Sequence, residues 1–184
     1  MFAHRGFAAA TVDDIAARAG FTRGAFYSNF QDKEDAFFVL MDERMEQRAR
    51  AIGDLMARSS PWTFLDDLRG WSDANRAADP AARVRMFTEF RAYALRNDDV
   101  RARLVERERT VRAAMATAIA AQFAAAGVEP PASAEALALV VHTLDTYLPL
   151  EQALDPEIPQ GFVLDALSLL FRAGVALAQR DERA

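Results

Sequence analysis

Apolar residues recur at intervals of three and four positions along almost the whole chain, and short segments rich in Gly, Pro and capping residues separate the runs. This spacing predicts amphipathic helices rather than strands. Abundant Ala and scarce β-branched runs favour the same structure, so we expect an all-α fold. The helices predicted after residue 30 run from Asp32 to about Ser59, from Pro61 to the Ala77–Pro80 break, from that break to about Leu95, from Asn97 to Gly127, from Ser133 to near Pro149, and from Phe162 to about Gln179.

The segment Thr11–Phe30 predicts two short helices joined by a tight turn. Thr11 is a suitable N-cap for the first helix, and Asp14 completes a capping pair three residues later. Gly20 suits the turn, and Thr22 caps the second helix. This arrangement is typical of a helix-turn-helix, in which the second helix lies in the major groove of DNA. The predicted inward-facing residues are Ile15, Ala16, Ala19, Phe26 and Phe30.

The segment Ala19–Phe37, AGFTRGAFYSNFQDKEDAF, resembles the recognition-helix signature of the TetR/AcrR family of one-component transcriptional regulators. A purely structural helical hairpin would need a turn and two caps, but not the Gly-x-x-Tyr-x-Asn-Phe run that follows Thr22. The resemblance implies an all-α chain with an N-terminal helix-turn-helix head and a helical domain for ligand binding and dimerisation. The matching residues are Gly20, Thr22, Gly24, Tyr27, Asn29, Phe30 and Lys33.

The predicted DNA contacts divide by chemistry. Arg23 is the candidate base reader, because a guanidinium matches the two acceptors of guanine, and Gly24 would let the backbone approach closely. The resemblance implies that Thr11, Thr22, Tyr27 and Lys33 contact phosphates, and Lys33 is the single lysine of the chain. The complete predicted DNA-binding set is Thr11, Thr22, Arg23, Gly24, Ala25, Tyr27, Ser28, Asn29 and Lys33.

Composition and charge restrict the function classes. The 184 residues are 52% apolar, contain no cysteine and carry a formal net charge of −5. Lack of cysteine excludes disulfides and thiolate metal sites and favours a reducing cytoplasm. We also expect no membrane span and no signal peptide. Because the first 33 residues are close to neutral, DNA binding would depend on local geometry rather than on bulk charge.

The rest of the chain predicts a second functional part. We expect residues 1–33 to form the DNA-binding head and residues 34–184 to form the helical ligand-binding and dimerisation domain. The last helix is apolar on two sides, with Leu167 and Leu170 on one stripe and Leu164 and Phe171 on the other. A surface helix needs only one such stripe, so the second predicts a partner copy. The resemblance implies a homodimer formed by the last two helices.

The resemblance also implies a small-molecule effector, and the aromatic residues suggest an apolar or aromatic one. Glu89 and His142 lie among apolar positions, where an unpartnered polar group would be unfavourable. Catalysis is disfavoured because no nucleophile elbow, phosphate-binding loop or metal-ligand spacing accompanies His142 and Asp145. We therefore expect no metal and no cofactor. The predicted effector-lining residues are Trp62, Phe87, Glu89, Phe90, Tyr93, Phe123, His142 and Tyr147.

The N-terminal segment Met1–Gly6 matches only the last turn or two of the first helix implied by the resemblance. That helix covers the core of the other two helices, so its loss would destabilise the head. Two alternatives follow. In the first, the chain is a ligand-responsive regulator, a repressor rather than an activator, whose first helix begins upstream of Met1. Otherwise it is a dimerising helical module whose head no longer binds DNA. The intact recognition helix favours the first alternative.

Overall fold

The computed structural model describes residues 2–60, 62–75, 80–159 and 161–181. These residues form helices joined by turns and loops, with no strand among them, so the predicted all-α class is confirmed. The helices are α1 (Phe2–Ala9), α2 (Val12–Arg18), α3 (Arg23–Tyr27), α4 (Lys33–Arg58), α5 (Phe64–Ala74), α6 (Pro80–Ala94), α7 (Asp98–Ala126), α8 (Ala134–Leu154) and α9 (Phe162–Asp181). Within the described ranges, no helix is both long enough and apolar enough to cross a membrane.

The chain divides into two compact units. The first contains residues 1–51 and 77–106, and the second contains residues 52–76 and 107–184. The division thus falls inside α4 and α7. The functional division between residues 1–33 and 34–184 stays a prediction.

An aromatic core holds the first unit together. Phe37 stacks on Phe90 with ring centroids 4.1 Å apart, and Phe7 meets the same ring edge-on at 4.7 Å. Edge-on and offset pairs are the favoured arrangements of aromatic rings, and they add to the free energy gained by burial. The core thereby fixes α1 and α4 against α6. Its buried members are Phe2, Phe7, Ala10, Phe37, Phe38, Met86, Phe90, Ala94, Val100 and Leu104.

Gly6 interrupts α1 and brings it close to α6. Its φ is +78° and its ψ is 171°, a backbone conformation that only glycine adopts readily. A side chain at Gly6 would overlap the carboxylate oxygen atoms of Glu89. The same carboxylate accepts a hydrogen bond from the backbone N–H of Ala8, with N and Oε2 3.3 Å apart. Glycine at this position therefore allows Glu89 to bind the backbone of the N-terminal segment.

Replacing Gly6 by alanine is expected to lower the free energy of unfolding by about 1–3 kcal/mol, the usual cost of holding a side chain in such a backbone conformation. Urea unfolding of the wild type and the variant measures the change. The matched control is Gly53→Ala, because Gly53 lies within α4 and a Cβ there would meet open space. This control should raise the free energy of unfolding by about 0.5–1 kcal/mol. An unchanged free energy for Gly6→Ala would contradict the positive φ of Gly6.

Two polar contacts add to the aromatic core of the first unit. The hydroxyl of Tyr93 donates to Glu34 Oε1 at 2.6 Å, and this hydrogen bond, together with burial, raises the pKa of Tyr93 to about 12. Because the pKa is raised on folding, the bond stabilises fully below pH 10 and its contribution is lost as pH rises through about 12. Arg103 Nη2 lies 2.9 Å from Asp35 Oδ1, and its guanidinium lies 4.4 Å from the centroid of the Phe38 ring.

The second unit has its own apolar cluster. Phe123 and Phe171 are buried, and their ring centroids are 5.0 Å apart. Phe171 links α9 to α7 in this cluster. The apolar stripe of α9 that contains Phe171 therefore packs inside the unit. An ion pair between Arg69 and Asp165 joins α5 to α9. The partly buried residues that pack on the cluster are Leu65, Ile119, Ala126, Val128 and Leu137.

Two predicted helix boundaries were wrong. Pro61 lies outside the described residues, and α5 begins only at Phe64, after Ser60 and Thr63 have hydrogen-bonded each other's backbone N–H groups. Hydroxyl groups that bond the local backbone compete with helix formation in this way. The helix α8 does not close at Pro149 but continues to Leu154. A proline removes one backbone donor and crowds the preceding turn, which more readily bends a long helix than ends it.

Candidate nucleic-acid interface

The first helix of the predicted motif is capped as its sequence indicates. Thr11 Oγ1 accepts from the backbone N–H of Asp14 at 3.1 Å, and Asp14 Oδ2 accepts from the backbone N–H of Thr11 at 3.3 Å. This reciprocal capping box confirms the predicted pairing. The hydrogen bond from the Thr11 side chain lowers the pKa of Asp14, and the nearby charge of Arg5 lowers it further. The start of α2 is thus fixed by contacts within four residues and one ion pair to α1.

The turn and the second helix also form as predicted. Gly20 has a φ of +75°, a conformation that favours glycine, and the chain there reverses between α2 and α3. Thr22 Oγ1 accepts from the backbone N–H of Ala25 at 3.2 Å and caps α3. Phe26 is buried against Ala16 and Ala36, with Val12, Ile15 and Phe30 packed around them. Ala19 differs from the prediction: it is exposed, because it is the C-cap of α2 and lies beyond its inward face.

Most of the predicted DNA-binding residues are exposed, and they lie on or near α3. Ala25 and Lys33 are partly buried. Two of the exposed side chains bind their own helix, since Ser28 Oγ donates to the carbonyl of Gly24 at 3.0 Å and Asn29 Nδ2 donates to that of Ala25 at 2.8 Å. Their roles in DNA contact stay predictions. The exposed members of the set are Thr11, Thr22, Arg23, Gly24, Tyr27, Ser28 and Asn29.

Arg23, the predicted base reader, has contacts on both sides of its guanidinium. Nη1 lies 2.8 Å from Asp13 Oδ2, and Nη2 lies 3.5 Å from the hydroxyl oxygen of Tyr27. The guanidinium carbon is also 5.6 Å from the centroid of the Tyr27 ring. These contacts hold the Arg23 head group on the outer surface of α2 and α3.

Lys33 connects the first helix to the fourth. Its ammonium group donates to the backbone carbonyl of Phe7 at 3.0 Å and to that of Ala8 at 3.4 Å, and it lies 4.4 Å from the centroid of the Phe7 ring. These bonds give Lys33 a structural role that its sequence position alone did not indicate. An ammonium carries three N–H donors, so it can still donate to a phosphate, and that role stays a prediction.

Four of the predicted effector-lining residues lie in the first unit. Phe90 is fully buried in the aromatic core, and Phe87 packs against that core. Tyr93 is bonded to Glu34, and Glu89 to the backbone of α1. Each of these four side chains therefore has a structural function in the first unit.

The other four predicted lining residues lie in the second unit. Phe123 is buried in its apolar cluster, and the Trp62 ring lies 5.8 Å from that of Phe171. Tyr147 is exposed, and His142 is partly buried. An open depression of about 460 Å³ in this unit is lined by other residues, namely Leu55, Arg58, Asp66, Asp67, Gly70 and Trp71.

Asp13 is the contact residue that sequence reasoning missed at this surface. At the N-terminus of α2 the Asp13 carboxylate suits the helix dipole, and this is the one role that its position in the sequence indicates. Its bond to Arg23 spans ten positions, which no helical spacing of three or four residues indicates. The signal was the motif itself, because a tight turn brings the start of α3 beside α2.

Comparison with known proteins agrees with this geometry. Residues 1–39 match the family model described as bacterial regulatory proteins, tetR family. A protein of Bacillus subtilis (strain 168), the "Uncharacterized HTH-type transcriptional regulator YfiR", is 29% identical over 112 residues. That alignment covers 58% of this chain and 52% of the relative, so the chain spans about half the length of the curated relative it matches.

Proposed function

We propose that this chain, whose first 39 residues match the tetR family of bacterial regulatory proteins, represses transcription by binding a palindromic DNA operator as a homodimer. The observation that carries the proposal is the capped α3. Its buried Phe26 fixes the helix on α2, while the polar side from Thr22 to Asn29 stays exposed. A short helix held in this way can enter the major groove with its N-terminal residues at the base edges.

The DNA contacts in this proposal follow from what each exposed group can donate. Arg23 reads guanine, and Gly24 allows the backbone to approach the DNA. Thr11, Thr22, Tyr27, Asn29 and Lys33 position the head on phosphates, which fix register without reading sequence. Ala25 and Ser28 are further contacts on the same helix.

Exposed apolar residues on the last two helices support the homodimer. Val140, Tyr147 and Leu154 follow one another at seven-residue spacing on α8, and all three are exposed. Phe162 and Leu169 do the same on α9, where Leu169 is 70% exposed. A seven-residue repeat forms a stripe along a helix, and contiguous exposed apolar surface marks an interface. Two copies paired through these stripes would present two α3 helices to a two-fold symmetric site.

The proposed effector binds in the second unit. Trp62 and His142 remain candidates in the second unit, where an apolar or aromatic molecule with one polar group would suit them. Phe123 is buried in the apolar cluster of that unit, and Tyr147 belongs to the exposed stripe of α8. Binding of that molecule would release the DNA by favouring a different spacing of the two heads.

Arg23→Ala is expected to reduce selectivity between specific and unselected DNA about 5- to 150-fold per head, the range for one bidentate base contact. Fluorescence anisotropy measures it with two 30-base-pair duplexes, one enriched from a random pool by the wild-type protein and one unselected. The matched control is Arg50→Ala, which removes an arginine of similar exposure from α4. Equal selectivity of Arg23→Ala and the wild type would remove Arg23 as a base reader.

A further inference from the structure

The carboxylate of Asp13 and the guanidinium of Arg23 form an ion pair between α2 and α3. Oδ2 and Nη1 are 2.8 Å apart, and the side chains are 64% and 60% exposed. An exposed pair of this kind shifts an equilibrium by only about fivefold or less. It is therefore weak enough to be exchanged for another partner.

Reading guanine uses the same guanidinium that the pair holds. A bidentate contact needs two neighbouring N–H donors of the guanidinium. Nη1 is engaged by Asp13, and Nη2 faces the hydroxyl of Tyr27 at 3.5 Å. A guanidinium carries five N–H donors, so a base edge competes with Asp13 and Tyr27 for the position of the Arg23 head group, which they hold on the surface of α2 and α3.

The exchange has a different result on specific and on unspecific DNA. A bidentate bond to guanine raises the affinity over that for the wrong base about 5- to 150-fold, which is more than the exposed ion pair contributes. On DNA that offers no guanine at that position, a phosphate offers Arg23 only an exposed ion pair like the one with Asp13. Arg23 then gains little by leaving Asp13, and the pair presents no net charge to the phosphates. Unspecific binding depends on how many phosphates the protein neutralises, so it loses one contact per head.

We infer that Asp13 is a specificity-determining residue: its carboxylate holds Arg23 away from phosphates and releases it to guanine. This inference rests on the proposed function, because it requires that α3 reads DNA. Asp13 thereby weakens binding to unspecific DNA more than binding to the operator, although it touches no base itself.

The test is Asp13→Asn, which removes the charge and keeps the size of the side chain. Binding to the unselected 30-base-pair duplex is expected to tighten about three- to tenfold, with a salt slope steeper by about one per head. Binding to the enriched duplex should change less than about threefold, so the selectivity ratio falls. The matched control is Glu46→Gln, which removes a carboxylate paired with Arg50 on α4, about 20 Å along the helix axis from Lys33.

A second arm separates a role through Arg23 from a general effect of charge. In the Arg23→Ala background, Asp13→Asn should leave the selectivity ratio unchanged, because there is no guanidinium left to hold. An equal effect of Asp13→Asn in both backgrounds, or an equal tightening on both duplexes, would overturn the inference while leaving the proposed function intact. Wild-type protein that enriches no sequence from the pool would overturn the proposed function, and the inference with it.

Discussion

The double variant Val140→Asp/Leu169→Asp is expected to be a monomer and to bind the enriched duplex about 10²–10⁴-fold more weakly than the wild type. Each substitution places a charge in one of the two exposed apolar stripes of α8 and α9. Burying an unpaired carboxylate in an interface is unfavourable enough to prevent association. Once the dimer is lost, the two heads bind independently, and the gain from linking two binding events disappears.

Light scattering measures the mass, and anisotropy measures the affinity. The wild type should have twice the 20.3-kDa mass of one chain, and the double variant should have the mass of one chain. The matched control is Leu95→Asp, because Leu95 is 72% exposed and lies in the first unit, outside α8 and α9. A double variant that stays dimeric would exclude these stripes as the interface.

Phe90→Ala is expected to lower the free energy of unfolding by about 3–5 kcal/mol, the usual cost of truncating a buried phenylalanine. The ring is fully buried and touches three other rings, those of Phe7, Phe37 and Phe38. Truncation therefore leaves a cavity and removes several aromatic contacts at once. Denaturant unfolding measures the loss.

The same variant tests whether Phe90 is a core residue or lines an effector site. An effector-lining ring would border an open site, and its truncation would change effector affinity with little effect on stability. The matched control is Phe21→Ala, because Phe21 is 66% exposed and its removal should change the free energy of unfolding by no more than about 0.5 kcal/mol. A loss below about 1 kcal/mol for Phe90→Ala would contradict its place in the core.

The helix-turn-helix could be predicted from the sequence because short-range contacts determine it. Thr11 and Thr22 each bond a backbone N–H three residues ahead, and Gly20 has the positive φ that the turn requires. Such contacts are visible in any window of a few residues. The family resemblance, confirmed by the match of residues 1–39, depends on the same local pattern.

Contacts between distant residues could not be predicted in this way. Glu89 binds the backbone beside Gly6, and nothing in either local sequence indicates the other. The aromatic residues of α6 show the same problem, because a ring in a core and a ring beside a ligand have the same spacing and the same hydrophobicity. Phe90 was predicted to line an effector site, whereas the structure places it in the core of the first unit.

If α3 reads a DNA sequence, the purified full chain will select particular sites from a random DNA pool. The enriched sites should form an inverted repeat whose half-site centres lie about 10 base pairs apart, one turn of the double helix. Arg23→Ala should weaken that enrichment, because one bidentate base contact per head is lost. If the wild-type protein dimerises in light scattering but enriches no sequence, α3 does not read DNA, and the chain is a dimerising helical module whose head does not bind DNA.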